Sequence, residues 1–455
     1  MSEVLAPGRS RSSEAPPSPD ASWWWSGLRP LVLRLHFYVG LFVGPFLLVA
    51  ALTGLAYTLT PQLEQLVHRH ELTVPVGGER LALAPQVAAA IAAVPDGTIT
   101  EIRPPGTADG TTRVSFDAPG VRDEFSRTAF VDPYTGEVRG VLDTFGEWLP
   151  VRTWFDELHR TLLLGDVGRV YSELAASWLG VLAISGLALW VVRRRRRNRV
   201  RRTLLPEGSA RGRVRLRSWH GAVGLWAVLG MLFLSATGLT WSQFAGQNVS
   251  DLRAQLDWST PSVEQTLPVG RVDPGPIGAT ADRVLAAART AGLSDPVAIV
   301  PGEGEAWVVK QVQRSWPEKQ DSVAVDPATG AVVDELRFAD WPLAAKLARW
   351  GIDSHMGLLF GVVNQVILAV LALGIICMVI WGYRMWWLRR PTRNTGTAAV
   401  GPPGGSQRPS TGAVLVVGLA AIGVGVFLPV LGVSLLAFLL VDAAWQARTG
   451  RAVTE

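Results

Sequence analysis

Four stretches of the chain, about 37–60, 171–192, 220–242 and 362–383, stay apolar long enough to cross a bilayer, which takes about 20 helical residues. A fifth, Val414–Val441, is longer than one crossing needs and is interrupted by Pro429 and Gly432. It reads either as one kinked helix or as a hairpin of two short halves. After the first and third spans the pattern changes. A helical stretch, Pro85–Val94, precedes strand-like runs at Thr98–Ile102, Arg113–Phe116 and Thr128–Val131; a second, Ala279–Ala291, precedes Val297–Val300, Ala306–Val312 and Ser322–Val325. Alternation of apolar and polar residues in such short runs is the mark of a half-buried strand. Asp132-Pro133-x-Thr135-Gly136 and Asp326-Pro327-x-Thr329-Gly330 follow the third run of each set. Pro presets φ, Gly accepts positive φ and Asp bonds the following backbone, so both read as tight turns. The expected fold class is a polytopic α-helical membrane protein carrying two small extracytoplasmic α+β domains with antiparallel sheet, plus a C-terminal hydrophobic segment.

The second half repeats the first. His36-x3-Gly40-Leu41 and Thr53-Gly54-Leu55 recur as His220-x3-Gly224-Leu225 and Thr237-Gly238-Leu239 at an offset of 184. Trp154-x4-His159-x2-Leu162-Leu163-x-Gly165 with Gly186-x3-Trp190 recurs as Trp350-x4-His355-x2-Leu358-Leu359-x-Gly361 with Gly382-x3-Trp386, offset by 196, and the Asp-Pro-x-Thr-Gly turns by 194. The pattern is span, domain, span, twice, with both copies in the same orientation: a parallel duplication around a four-helix core.

Charge orients it. The net +5 of the 455 residues hides an uneven distribution: Arg193–Arg217 holds twelve Arg against the single acid Glu207, so the stretch carries +11 and the remainder −6. A basic loop pinned between two apolar runs argues for membrane topology and against a nucleic-acid footprint. With that loop and Arg384–Arg393 cytoplasmic, and Arg29 and Arg34 before the first span, the N-terminus lies inside. The expected organisation is a disordered cytoplasmic tail rich in Ser and Pro (1–27), an uncleaved first span (28–60), external domain one (61–158), an outer His segment with the second span (159–192), and the Arg-rich cytoplasmic loop (193–219). The third span (220–242), external domain two (243–354), a second His segment with the fourth span (355–388), a cytoplasmic linker (389–411) and the C-terminal segment (412–445) follow. The host membrane would be the cell's inner, cytoplasmic membrane. Many of the 19 Trp, among them Trp23–Trp25, Trp219, Trp241, Trp381, Trp386 and Trp387, sit at span ends, as interfacial anchors do. The lone Cys377 excludes an intramolecular disulfide framework and a Cys-based zinc or iron–sulfur site.

Of six His, four are the repeated ones. His36 and His220 start spans one and three on the inner side; His159 and His355 precede spans two and four on the outer side, so topology sorts them into two layers of two. Imidazoles from different helices facing one another are what a bis-His haem iron needs. Gly40 and Gly224, one turn after His36 and His220, would let a flat macrocycle approach the backbone. The next helical position is Gly44 in one copy and Val228 in the other, so that feature is only half repeated. Against ligation stands the fact that a duplicated gene repeats its residues whether or not they act. His68 and His70 have no counterparts and read as surface residues. The span centres hold no Asp, Glu, Lys or Arg, which argues against an ion-coupled pump; the inner loop leaves no room for a nucleotide-binding unit. Electrons would come from a quinol or a partner reductase.

These residues carry a resemblance. His36-x3-Gly40-Leu41 with Thr53-Gly54-Leu55, Leu158-His159-Arg160 with Gly186-Leu187-x2-Trp190, and the paired turns resemble the PepSY-associated transmembrane-helix family, also described as iron-regulated membrane proteins, over about 28–392. The family includes inner-membrane ferric-siderophore reductases with two b-type haems, so the resemblance implies an inner haem on His36 and His220, an outer one on His159 and His355, and a transmembrane di-haem ferric reductase acting on a ferric chelate. The same family contains many members of unknown role, and PepSY units elsewhere look like peptidase-inhibitory or regulatory modules, which leaves open a non-enzymatic sensor or a permease-like component of iron uptake. Arg152, Arg160 and Arg349 either recognise an anionic chelate or balance acids such as Asp156 and Asp353.

Overall fold

The computed structural model describes residues 22–195, 204–267, 273–389 and 411–451. Residues 1–21 of the expected N-terminal tail, the centre of the Arg-rich loop and most of the 389–411 linker fall outside the described residues; residues 22–27, expected in the tail, are instead helical.

The apolar stretches form helices. α7 (Gly165–Arg195), α8 (Gly212–Leu239) and α12 (Gly361–Trp387) are each long and apolar enough to cross a membrane. The first stretch is not one straight span. α1 (Ser22–Phe42) and α2 (Gly44–Tyr57) meet at Val43 with a 59° bend. Pro45 accounts for it: its ring cannot donate to the carbonyl four residues back and clashes with that turn. The carbonyl so orphaned belongs to Leu41, and the Tyr383 hydroxyl from α12 donates to it. A buried carbonyl left without a donor is costly, so the kink and Tyr383 form one device. The C-terminal segment folds back on itself. α13 (Thr411–Phe427) and α14 (Pro429–Arg451) bring the backbones of Gly425 and Gly432 together so closely that a Cβ on Gly425 would lie 2.9 Å from the Gly432 Cα. In one continuous helix those residues would stand about 10 Å apart, so this is a hairpin. It docks on the bundle through Leu431 in the common core, through Trp178 Nε1 donating to Ser434 at 2.9 Å and through the ion pair of Arg34 with Asp442 at 3.1 Å.

Six strands lie where alternation places them, β1 (Thr98–Arg103), β2 (Thr112–Asp117), β3 (Ser126–Val131), β5 (Val297–Val300), β6 (Trp307–Gln311) and β7 (Ser322–Val325), and two more, β4 (Val138–Thr144) and β8 (Val332–Leu336), follow the two Asp-Pro-x-Thr-Gly turns. Two separate sheets do not form. The strands join in one eight-stranded antiparallel sheet of order β4-β3-β2-β1-β5-β6-β7-β8, closed at the middle where Ile102 pairs with Ile299. Joining them hides two edges that would otherwise expose unpaired backbone. On one face α5 (Leu83–Ala93) and α10 (Ile277–Thr290) pack together over a shared core of Val87, Phe116, Val284, Ile299 and Val309. Asp282 of α10 caps α5, accepting from the Leu83 and Ala84 amides at 2.7 and 3.0 Å, which satisfies donors every helix start leaves free.

Short helices link sheet to bundle. α6 (Pro150–Thr161) and α11 (Leu343–His355) run from the strands to the starts of α7 and α12. Glu173, fully buried near the start of α7, accepts from the Phe244 and Ala245 amides at the N-terminus of α9 (Phe244–Gln255). A carboxylate there meets both free amides and the positive end of the helix dipole.

Candidate functional site

The four repeated histidines come together in pairs. At the bundle end remote from the sheet, His36 of α1 and His220 of α8 place their ring centroids 6.3 Å apart with planes at 89°. At the sheet end, His159 closes α6 and His355 closes α11. Burial, together with the neighbouring His159, pushes His355 below its ordinary value to about 3, and burial lowers His159 to about 4. Both rings are therefore neutral imidazoles at physiological pH, the form that ligates a metal.

One arrangement recurs in all four. Each Nδ1 is occupied by an acceptor. The Thr53 hydroxyl donates to the Val49 carbonyl at 2.9 Å, which leaves its oxygen to accept from His159 Nδ1 at 3.0 Å. Thr237 repeats this, donating to Phe233 O and accepting from His355 Nδ1 at 2.6 Å. Ser185 donates to Leu182 O and accepts from His36 Nδ1 at 2.9 Å, and His220 Nδ1 donates to the Met378 carbonyl at 3.0 Å. With Nδ1 carrying the proton in each ring, the lone pair lies on Nε2, and no Nε2 of the four makes a hydrogen bond among the described residues. This is the outer-shell geometry that orients metal-ligating imidazoles. The Thr-Gly motif thus has a mechanical meaning. Thr holds Nδ1, and the following glycine clears the ring: a Cβ on Gly54 would sit 3.1 Å from His159 Cε1. Gly186 does the same for His36, where a Cβ would lie 3.2 Å from Cε1.

The donor set fits a ligand held from both faces. Metal to imidazole nitrogen bonds are about 2 Å, and two in line, with the distance from each nitrogen to its ring centre, span roughly the 6.3 Å between His36 and His220. Gly40 faces open space, whereas Gly224 meets Met378 Sδ at 3.3 Å, so close approach to the backbone is available beside the first helix and filled beside the second. Among the described residues no group of three or more His, Cys, Asp or Glu is placed to hold a metal ion; each layer offers two imidazoles.

Other sequence expectations land differently. Trp241 packs its ring against His355, centroids 5.5 Å apart, with Phe233 behind at 6.5 Å, so one presumed interfacial anchor is a wall of the site. His70 is exposed and accepts from Arg139 Nη2 at 2.9 Å. His68 is largely enclosed, 12% exposed, because the chain turns there from α3 (Thr60–Val67) into α4 (Arg69–Leu72). Of the charged residues near the sheet-end layer, Arg349 pairs with Glu318 and Asp353 at 2.9 and 2.8 Å, and Arg160 lies 3.9 Å from Asp156. Those two balance acids. Arg314, which the sequence did not single out, bridges Glu147 ahead of α6 to Asp353 on α11 at 2.6 Å each. Burial alone would raise Glu147, yet the Arg314 and Arg103 guanidinium groups hold its carboxyl down to about 2. Burial and a shared hydrogen bond with Asp353 push Glu318 the other way, above the ordinary carboxylate range. This ion network ties the sheet to the helix bearing His355. Nothing in the sequence marked it, since Glu147, Arg314 and Asp353 are far apart along the chain.

The profile of a family described as PepSY-associated TM region matches residues 33–389, which takes in all four repeated histidines and both sets of strands but not the C-terminal hairpin. No curated protein matches the chain.

Proposed function

The chain belongs to the PepSY-associated TM family, and from that premise we propose that it is a haem-dependent electron carrier of the cytoplasmic membrane that reduces an external acceptor, with a ferric chelate such as a ferric siderophore as the acceptor class. His36 and His220 would hold one b-type haem, His159 and His355 the second. Bound there, the haems supply one-electron redox chemistry. The remaining work falls to the chain: Thr53, Thr237, Ser185 and the Met378 carbonyl fix each imidazole's tautomer and angle, while Trp241 and Phe233 exclude water from the sheet-end layer. The two layers arise in this reading from a duplicated span–domain–span unit, which supplies each layer with one histidine per copy. The +11 stretch Arg193–Arg217 stays in the cytoplasm, so the sheet faces outward and electrons enter at the His36 layer, from a quinol or a partner reductase.

The observation that carries the reading is the common state of the four rings, each with Nδ1 bonded and Nε2 free. Histidines retained only by descent have no reason to share a tautomer. An absorption spectrum of the full-length protein purified in detergent tests it. A Soret band is expected, with His36→Ala or His220→Ala removing one haem equivalent and His159→Ala or His355→Ala the other, while His68→Ala and His70→Ala remove none. A colourless protein, or a band indifferent to the four ligand substitutions, overturns the redox reading in favour of a regulatory protein whose sheet binds a partner.

A further inference from the structure

One buried guanidinium keeps a nitrogen without an acceptor, although Glu64, Glu147 and Asp156 lie within electrostatic reach of it. Arg152 on α6 is 6% exposed, its Nε donates to the Tyr57 hydroxyl at 3.2 Å, and its guanidinium lies over the Trp148 and Tyr57 rings at 5.0 and 5.7 Å. Nη2 is buried with no partner, and among the described residues no carboxylate comes within 4.0 Å of the group. Arg34 pairs with Asp442 and Arg314 with Glu147 and Asp353, whereas Arg113 donates only to the Glu147 carbonyl among the described residues. A buried guanidinium N–H without an acceptor is costly to keep, so an acceptor from outside the chain is its natural complement.

Its place says which anion. Arg152 precedes His159 by seven residues, two turns along the same face of α6 and about 10 Å away along the helix. The opposite wall of that seam is α2, where Thr53 holds His159 and Tyr57, one turn on, holds Arg152. Arg152 thus shares the α6 face that carries His159. The position equivalently spaced before His355 is Ala348, so the cation is supplied from one side only. We propose that Arg152 receives a propionate carboxylate of the tetrapyrrole held by His159 and His355. This rests on the haem reading above and adds an anchoring residue to it.

The experiment uses the full chain carrying His36→Ala, so that only the sheet-end layer binds, prepared haem-free and titrated with hemin and with hemin dimethyl ester, whose carboxylates are blocked. Charge-assisted hydrogen bonds of this kind are worth about one to two powers of ten in affinity. Hemin is therefore expected to bind about tenfold or more tightly than the ester, Arg152→Met to abolish that preference and Arg152→Lys to retain most of it. Thermal melting adds a second readout: Arg152→Met lowers the melting temperature of the hemin-loaded chain but not of the haem-free one, because only the loaded chain pairs the cation. Undiminished discrimination between hemin and ester in Arg152→Met overturns this assignment alone. Failure of both porphyrins to shift their Soret band on addition to the His36→Ala parent overturns the haem reading and the anchor with it.

Discussion

A threonine and a glycine in sequence do two different jobs on one imidazole. Thr53 and Thr237 spend their own proton on the carbonyl four residues back, which is why they accept rather than donate towards His159 and His355. A side chain without that oxygen leaves Nδ1–H unpaired in a buried site and frees the ring to turn. Outer-shell losses of this kind cost about ten- to hundredfold in metal affinity. Thr53→Val and Thr237→Val are each expected to weaken haem binding at the sheet-end layer by that factor in a hemin titration, with Thr53→Ser restoring it, while the His36 layer is unchanged. Equal affinity in Thr53→Val and parent would show that the hydroxyl does not position the ring. The histidines themselves stood out because each recurs within a repeated motif, at offsets of 184 and 196. The roles of Thr53, Gly54, Ser185 and Gly186 were not, although the Thr-Gly pair repeats as faithfully, because a hydroxyl or a missing Cβ has no meaning until the helix it faces is known.

Among the elements, those whose pattern is local came through and those that depend on distant partners did not. The strands and the helices over them fall within a few residues of where alternation and helical spacing put them. The bend after Val43 had a local signal in Pro45, but what makes it tolerable, Tyr383 donating to Leu41 O, joins residues hundreds of positions apart. The same holds for the C-terminal hairpin, whose Arg34–Asp442 ion pair crosses from α14 to α1. Arg34 and Asp442 are 2% and 9% exposed, so Asp442→Asn strands a positive charge among apolar side chains. Breaking one partner of such a buried pair costs about 3–5 kcal/mol, whereas replacing both by apolar residues is close to neutral. Unfolding of the purified protein in detergent, followed by Trp fluorescence, should show Asp442→Asn markedly destabilised and Arg34→Met/Asp442→Leu near the parent. A small loss in Asp442→Asn would mean that the hairpin is held by packing alone, with Leu431 and Ser434 as its anchors.

At the scale of the whole molecule, the sheet and the charge act together. Because β1 and β5 pair, the two strand sets form one body, and a single body must lie on one side of the membrane. That requires an even number of crossings between them, which α7 and α8 provide with the Arg-rich stretch at their far end. In the proposed topology the loop and the sheet lie on opposite sides, and the charge says which is which, since short loops bearing Arg are retained in the cytoplasm. In a Cys377→Ser background, Ser209→Cys, exposed next to the loop, and Ser259→Cys, exposed in the segment leading to β5, report the two sides. A membrane-impermeant maleimide applied to intact spheroplasts is expected to label Ser259→Cys alone, and both after lysis. Labelling of Ser209→Cys in intact spheroplasts would invert the protein in its membrane, and with it the proposed direction of electron flow, because the His36 layer would then face outward and the layer flanked by Arg152 and the ion network would face the cell interior.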